Sequence, residues 1–135
     1  MSFMEYPDTM KLGNKLMDQE HEVLISCINM LQEAVKEDHD STTTNEVLQG
    51  LVEYTKTHFF VEEELMRAYE YAGAETHKRE HDSFKKKIEM LSQRFEQGNE
   101  LIEDKLLDFL KGWLIEHILK TDAHLAKFLK EKGMP

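Results

Sequence analysis

The chain has 135 residues, with 27 acidic against 17 basic side chains and a formal net charge of −10. That length carries one domain with a real core and not two, and the acidic balance argues against DNA, RNA or an anionic membrane as partner, because those need basic patches. Cys27 is the one cysteine, which leaves no internal disulfide and no cysteine metal cluster, and fits a reducing, cytoplasmic compartment.

Both prolines lie at the ends, Pro7 and Pro135, so long uninterrupted helices are allowed. Residues 1–16 are expected to form an irregular N-terminal arm, since Pro7 and Gly13 oppose a long helix there. Asp18 is a candidate N-cap for a first helix running to about Asp38. Its apolar seam is Met17, His21, Leu24, Ile28, Leu31 and Val35. His39-Asp40-Ser41-Thr42-Thr43 is turn chemistry, and Thr43 with Glu46 has the spacing of a capping box. The second helix runs to about Glu70, with seam Leu48, Leu51, Thr55, His58, Glu62, Leu65 and Tyr69, and Gly73 as its stop. The third covers roughly Glu75 to Gln97, with seam His77, His81, Phe84, Ile88, Leu91 and Phe95, ended by Gly98 and Asn99. A fourth begins near Leu101 and carries Leu106, Leu110, Trp113 and His117 on one stripe. A short C-terminal helix spans roughly Asp122 to Glu131. No apolar run approaches the ~20 residues that cross a bilayer, and no basic-then-apolar leader is evident. The prediction is an all-α chain: an antiparallel up-down-up-down four-helix bundle over residues 17–131, with the arm in front and a short helix behind, all in one domain 1–135.

Alternating helix direction has a consequence for the polar residues on these seams. His21 is near the start of the first helix, and His58 and Glu62 are in the later half of the second. His77 and His81 open the third, and His117 is near the end of the fourth. All six fall at one end of the bundle and on core-facing stripes. Burying a carboxylate is costly unless it is paired or binds a metal. Asp122 joins this group less directly. Five residues after His117, it would point ~140° away on a continuous helix, so the helix must break or restart near Lys120-Thr121, with Asp122 as a possible cap.

Five imidazoles and two carboxylates are too many donors for one ion and suit two metals bridged by carboxylate. Imidazole suits iron, zinc, copper or nickel, and mixed nitrogen and oxygen sets fit non-haem iron. No Glu stands three residues before any histidine, so the carboxylate-rich di-iron pattern of oxidase bundles is absent. A single seam histidine is more often a satisfied core residue than a ligand. Six groups at one depth and on inward faces are not explained that way. Glu62 alone could be an ion-pair partner, but no Lys or Arg shares its seam. His39 is expected in a solvated loop and His124 on the surface of the last helix. Cys27 reads as a small buried filler, and Lys85-Lys86-Lys87 as a solvated face.

At these residues the chain resembles the hemerythrin family, and most closely its single-domain bacterial members. The likeness covers Leu12-Gly13-Asn14 with Asp18 and His21, Ile28-Asn29-Met30-Leu31, His58-Phe59 through Glu62-Glu63 and Met66, His77-x-x-x-His81, and Trp113 before His117-Ile118 with Asp122 five on. Gln19-Glu20 before His21 departs from the family, where Gln more often adjoins the histidine; that touches tuning of the ligands rather than their identity. The resemblance implies a centre of two iron ions, cycling between Fe2+ and Fe3+, that binds O2 reversibly. One iron would take His77, His81 and His117 and the other His21 and His58, with Glu62, Asp122 and an oxo or hydroxo ligand bridging them. The second iron then keeps one open position. Its walls are expected to be Leu24, Phe59, Trp113, Leu114 and Ile118. No spare acid, base or nucleophile stands beside it, which favours O2 storage, delivery or sensing over turnover. The competing readings are a di-iron oxidase, peroxidase or nitric-oxide-handling enzyme on the same centre, and a sensory or scaffold protein acting through a partner.

Overall fold

The computed structural model describes residues 3–37, 42–97 and 102–134. After a 3-10 turn, Asp8–Met10, the chain forms α1 (Lys15–Glu37), α2 (Thr42–Ala68), α3 (Ala74–Glu96) and α4 (Ile102–Glu116). A π turn, His117–Asp122, then leads without interruption into α5 (Ala123–Glu131). Helices α1 to α4 pack in sequence, and α1 also meets α4, which closes the antiparallel four-helix bundle.

Most seam positions are buried as their spacing predicts, while Val35, Leu65, Tyr69 and Trp113 are only half-buried. On α1, Met17, His21, Leu24, Ile28 and Leu31 are buried, joined by Ile25. Each predicted position on α3, from His77 to Phe95, is buried. The larger apolar cluster fills the body of the bundle around Leu31, Leu48, Leu51, Leu106 and Leu110. A smaller one, Met17, Met66, Leu125, Ala126 and Leu129, caps one end. His21 lies four residues beyond Met17 and three before Leu24, and Glu62 lies between Phe59 and Met66. The polar residues of the seams therefore occupy a layer between two apolar plugs.

Several helix ends differ from expectation. The first N-cap is Asn14, whose Oδ1 accepts the Met17 N–H at 3.0 Å. Asp18 sits in the first turn instead, and its carboxylate reaches back to the N–H groups of Leu12 (2.8 Å) and Gly13 (3.1 Å). Gly13 has φ +81°, the left-handed backbone that favours glycine. The arm is strapped down rather than loose. Met4 exchanges two hydrogen bonds with the Asn29 side chain, at 2.8 and 2.9 Å, and Lys111 Nζ donates to the Phe3 carbonyl at 2.9 Å.

Thr43 lies inside α2, because that helix is already under way at Thr42. The turn residues His39, Asp40 and Ser41, the stop residues Gly98 and Asn99, and Leu101 lie outside the described residues. Helix α2 ends by a Schellman turn whose left-handed residue is Glu70 (φ 55°) and not Gly73. Tyr71 N–H bonds the Met66 carbonyl at 2.9 Å and Glu70 N–H that of Arg67 at 3.2 Å. Gly73 instead precedes α3. A Cβ there would lie 2.9 Å from the Tyr71 ring, so the glycine permits a close approach.

Candidate metal centre

The structure brings His21, His58, Glu62, His77, His81, His117 and Asp122 into one place, each at most 2% exposed. Their donor atoms form two groups that share the carboxylates. Glu62 Oε1 lies 3.1 Å from His77 Nε2 and 3.0 Å from His81 Nε2. Asp122 Oδ1 lies 3.0 Å from His77 Nε2 and 3.1 Å from His117 Nε2. The other oxygens face the remaining pair: Glu62 Oε2 is 3.1 Å from His58 Nε2, and Asp122 Oδ2 is 2.8 Å from His21 Nε2. Each carboxylate thus spans the two groups, one oxygen to each.

These spacings also fit a shared pair of metal ions. Two donors at right angles around an ion at about 2.1 Å stand about 3.0 Å apart. His81 Nε2 and His117 Nε2 are 3.2 Å apart, a separation that two ligands of one ion would also have. His58 Nε2, Glu62 Oε2 and Asp122 Oδ1 are buried and close to partners, yet none makes a hydrogen bond of acceptable geometry. Donors that converge on two common points, three of them buried with no hydrogen bond, are what a bridged pair of cations requires, and imidazole with carboxylate suits non-haem iron.

The outer edges of three rings are fixed by further carboxylates. His58 Nδ1 meets Glu20 Oε1 at 2.7 Å, His81 Nδ1 meets Glu63 Oε2 at 2.9 Å, and His117 Nδ1 meets Glu80 Oε1 at 3.2 Å. Such a bond puts the proton on Nδ1 and turns the Nε2 lone pair inward. Glu63 and Glu80 were not legible as site residues from seam spacing, because they lie beside the seam. Each nevertheless adjoins a seam donor in sequence, Glu62 and His81, and that adjacency is a usable signal.

Burial opposes charge on these rings, but Glu62 and Asp122 overcome it. His21 and His77 are raised above the ordinary imidazole value, and His58 and His117 are pushed up to about 10. Burial would raise the two carboxylates as well; the surrounding histidines instead hold both below the usual range. Without metal the cluster is therefore balanced by protons.

Asp122 reaches the centre by a route the spacing did not predict. The helix neither breaks nor restarts, and Asp122 keeps helical backbone (φ −68°, ψ −31°) with no capping hydrogen bond. The π turn widens the helix so that residues five apart share a face.

Against the layer lies a small apolar cavity of about 10 Å³, lined by Leu24, Ile28, Leu51, Thr55, Phe59, Phe84, Leu110, Trp113 and Leu114. Ile118 is fully buried but is not part of this lining. Phe59 stacks on His81 with centroids 3.8 Å apart, and Trp113 on His117 at 4.3 Å. His124 is exposed, as expected, and His39 lies outside the described residues.

Comparison with known proteins agrees with this architecture. The family model of the hemerythrin HHE cation binding domain matches residues 12–129. The bacteriohemerythrin of Stenotrophomonas maltophilia (strain R551-3) is 33% identical, covering 97% of this chain and 90% of its own. That of Pseudomonas paraeruginosa (strain DSM 24068 / PA7) is 31% identical over 91% and 79%. The crystal structure of wild-type hemerythrin superposes with a TM-score of 0.85 at 24% identity, covering 95% of this chain and 98% of that one.

Proposed function

Because the chain belongs to the hemerythrin family, we propose that it binds O2 reversibly at a non-haem di-iron centre held by His21, His58, Glu62, His77, His81, His117 and Asp122. His77, His81 and His117 hold one iron and His21 and His58 the other. Glu62 and Asp122 would each offer one oxygen to either ion, with an oxo or hydroxo group as the third bridge that the family resemblance implies. The observation that carries this assignment is the division of each carboxylate between a three-histidine and a two-histidine group. Iron supplies the electrons for O2 binding; the protein supplies a dry, fixed donor set.

The two-histidine group offers one ligand fewer, so its iron would keep an open position, and we place the apolar cavity beside that position. Leu24, Phe59, Trp113 and Leu114 exclude water from it. The cavity offers no acid or base: the Thr55 hydroxyl is already donated to the Leu51 carbonyl at 2.8 Å. That supports binding over turnover, and so a protein that is not an enzyme. No helix among the described residues is long and apolar enough to cross a membrane, and we place the protein in the cytoplasm as one domain, residues 1–135.

The test is an anaerobic-to-aerobic spectral titration with metal measured in the same sample. The expected result is two irons per chain and an absorption change that reverses when O2 is removed. One iron per chain, zinc alone after anaerobic iron reconstitution, or steady O2 consumption with a reductant would refute the reading.

A further inference from the structure

Building on the di-iron reading, we propose that the polar cleft between the start of α3 and the π turn is the port through which ferrous ions enter, with His124 and Glu80 as its capture ligands. The seven donors are at most 2% exposed, so ions need a path through the wall. The cleft has a volume of about 180 Å³, and His77, Glu80, Thr121 and His124 line it. His77 therefore forms part of both the cleft wall and the donor set. His124 stands in solvent. The Glu80 side chain is 40% exposed, yet its Oε1 is bonded to the buried His117 Nδ1. One carboxylate thus connects water to a ligand histidine. An imidazole and a carboxylate at the mouth suit Fe(II), and no Lys or Arg lines the cleft.

Two other openings are poorer routes. The apolar cavity would strip a dication of water and give nothing back. The opening beside Glu63 is lined by Glu63 and Glu64 but also by Lys78 and by Arg67, which pairs with Glu64 at 2.8 Å, so its carboxylates are shared with cations that the cleft lacks. For Glu80 to take up an ion, its hold on Thr121 must open: the Thr121 hydroxyl is donated to Glu80 at 2.7 Å to Oε1 and 2.9 Å to Oε2. That contact is the latch.

A port governs rate and leaves final occupancy alone, which separates it from the ligand set. Metal-free protein is mixed anaerobically with a ferrous salt, and unbound Fe(II) is sampled over time with a colorimetric ferrous chelator. His124→Ala is expected to slow uptake several-fold and His124→Lys further, both ending at two irons per chain. Wild-type uptake rates in both variants would overturn the port, as would slowing by Glu63→Gln with none by His124→Lys. Wild-type protein that takes up no iron would instead sink the di-iron reading itself.

Discussion

His117 and Asp122 are five residues apart in sequence, yet His117 Nε2 lies 3.1 Å from Asp122 Oδ1. On a regular α-helix their side chains would diverge by ~140°. The π turn contains one residue more than an α-helical turn, so the chain downstream keeps the register it would have if that residue were absent. Deleting the half-exposed Leu119 is therefore expected to restore a plain α-helix with the histidine and aspartate four apart and still facing the same way. Two irons per chain should survive in that deletion. Deleting Gly112, in the regular part of α4, rotates everything after it by ~100° and should abolish iron binding. Iron content of the two purified variants decides the matter.

His77 contacts both bridging carboxylates, at 3.1 and 3.0 Å. His77→Ala should lower iron below two per chain and reduce the Tm of protein purified from iron-replete cells by roughly 5–15 °C, because metal binding contributes to folding. His81→Ala should act alike. In metal-free protein His77→Ala also removes a partner of both buried carboxylates and should lower Tm too, so iron content is the readout that identifies a ligand. Unchanged iron content in both variants would refute their assignment as ligands.

Much of this centre was legible because helical spacing fixes both face and depth. His21, His58, Glu62, His77, His81 and His117 needed only the 3.6-residue period and alternating helix direction. How Asp122 reaches the centre is not legible from spacing, because a π turn leaves no sequence mark comparable to a proline or glycine. The stop of α2 was misplaced for a related reason: glycine is the usual left-handed residue, and here Glu70 takes that role. The helical period sorts residues into inside and outside, and Glu63 and Glu80 lie on the border, so spacing alone gives them no role.

The α2–α3 connection gives a pair of opposite effects. Glu70→Gly should stabilise the fold by about 0.5–1 kcal/mol, because φ 55° strains a residue with a Cβ. Gly73→Ala should destabilise by about 1–3 kcal/mol, since the new Cβ would sit 2.9 Å from the Tyr71 ring. Adding Tyr71→Ala should recover much of the second loss. Denaturant midpoints of the variants test all three, and a neutral Gly73→Ala would show that the ring simply turns aside.

Acidity should act in opposite directions on the metal-free and iron-loaded protein. In the metal-free chain His58 and His117 are pushed up to about 10, because burial, which favours the neutral rings, is outweighed by Glu62 and Asp122. Each ring's charged form is therefore more stable folded than unfolded. That contribution is fully present below the unfolded imidazole value of about 6.5 and is lost as pH rises through about 10. Glu62 and Asp122 are shifted downwards, so their contribution is present above about pH 4 and fades as pH falls below it. Metal-free protein should accordingly be most stable near pH 5–6 and lose Tm steadily towards pH 10. Iron needs the same nitrogens deprotonated, so its uptake must expel those protons and tighten as pH rises. Calorimetric titration of Fe(II) at pH 7 in two buffers of different ionisation enthalpy should register net proton release, and the gap in Tm between loaded and metal-free protein should widen from pH 6 to pH 9. A metal-free Tm that climbs over that interval would contradict the charge balance of the buried cluster.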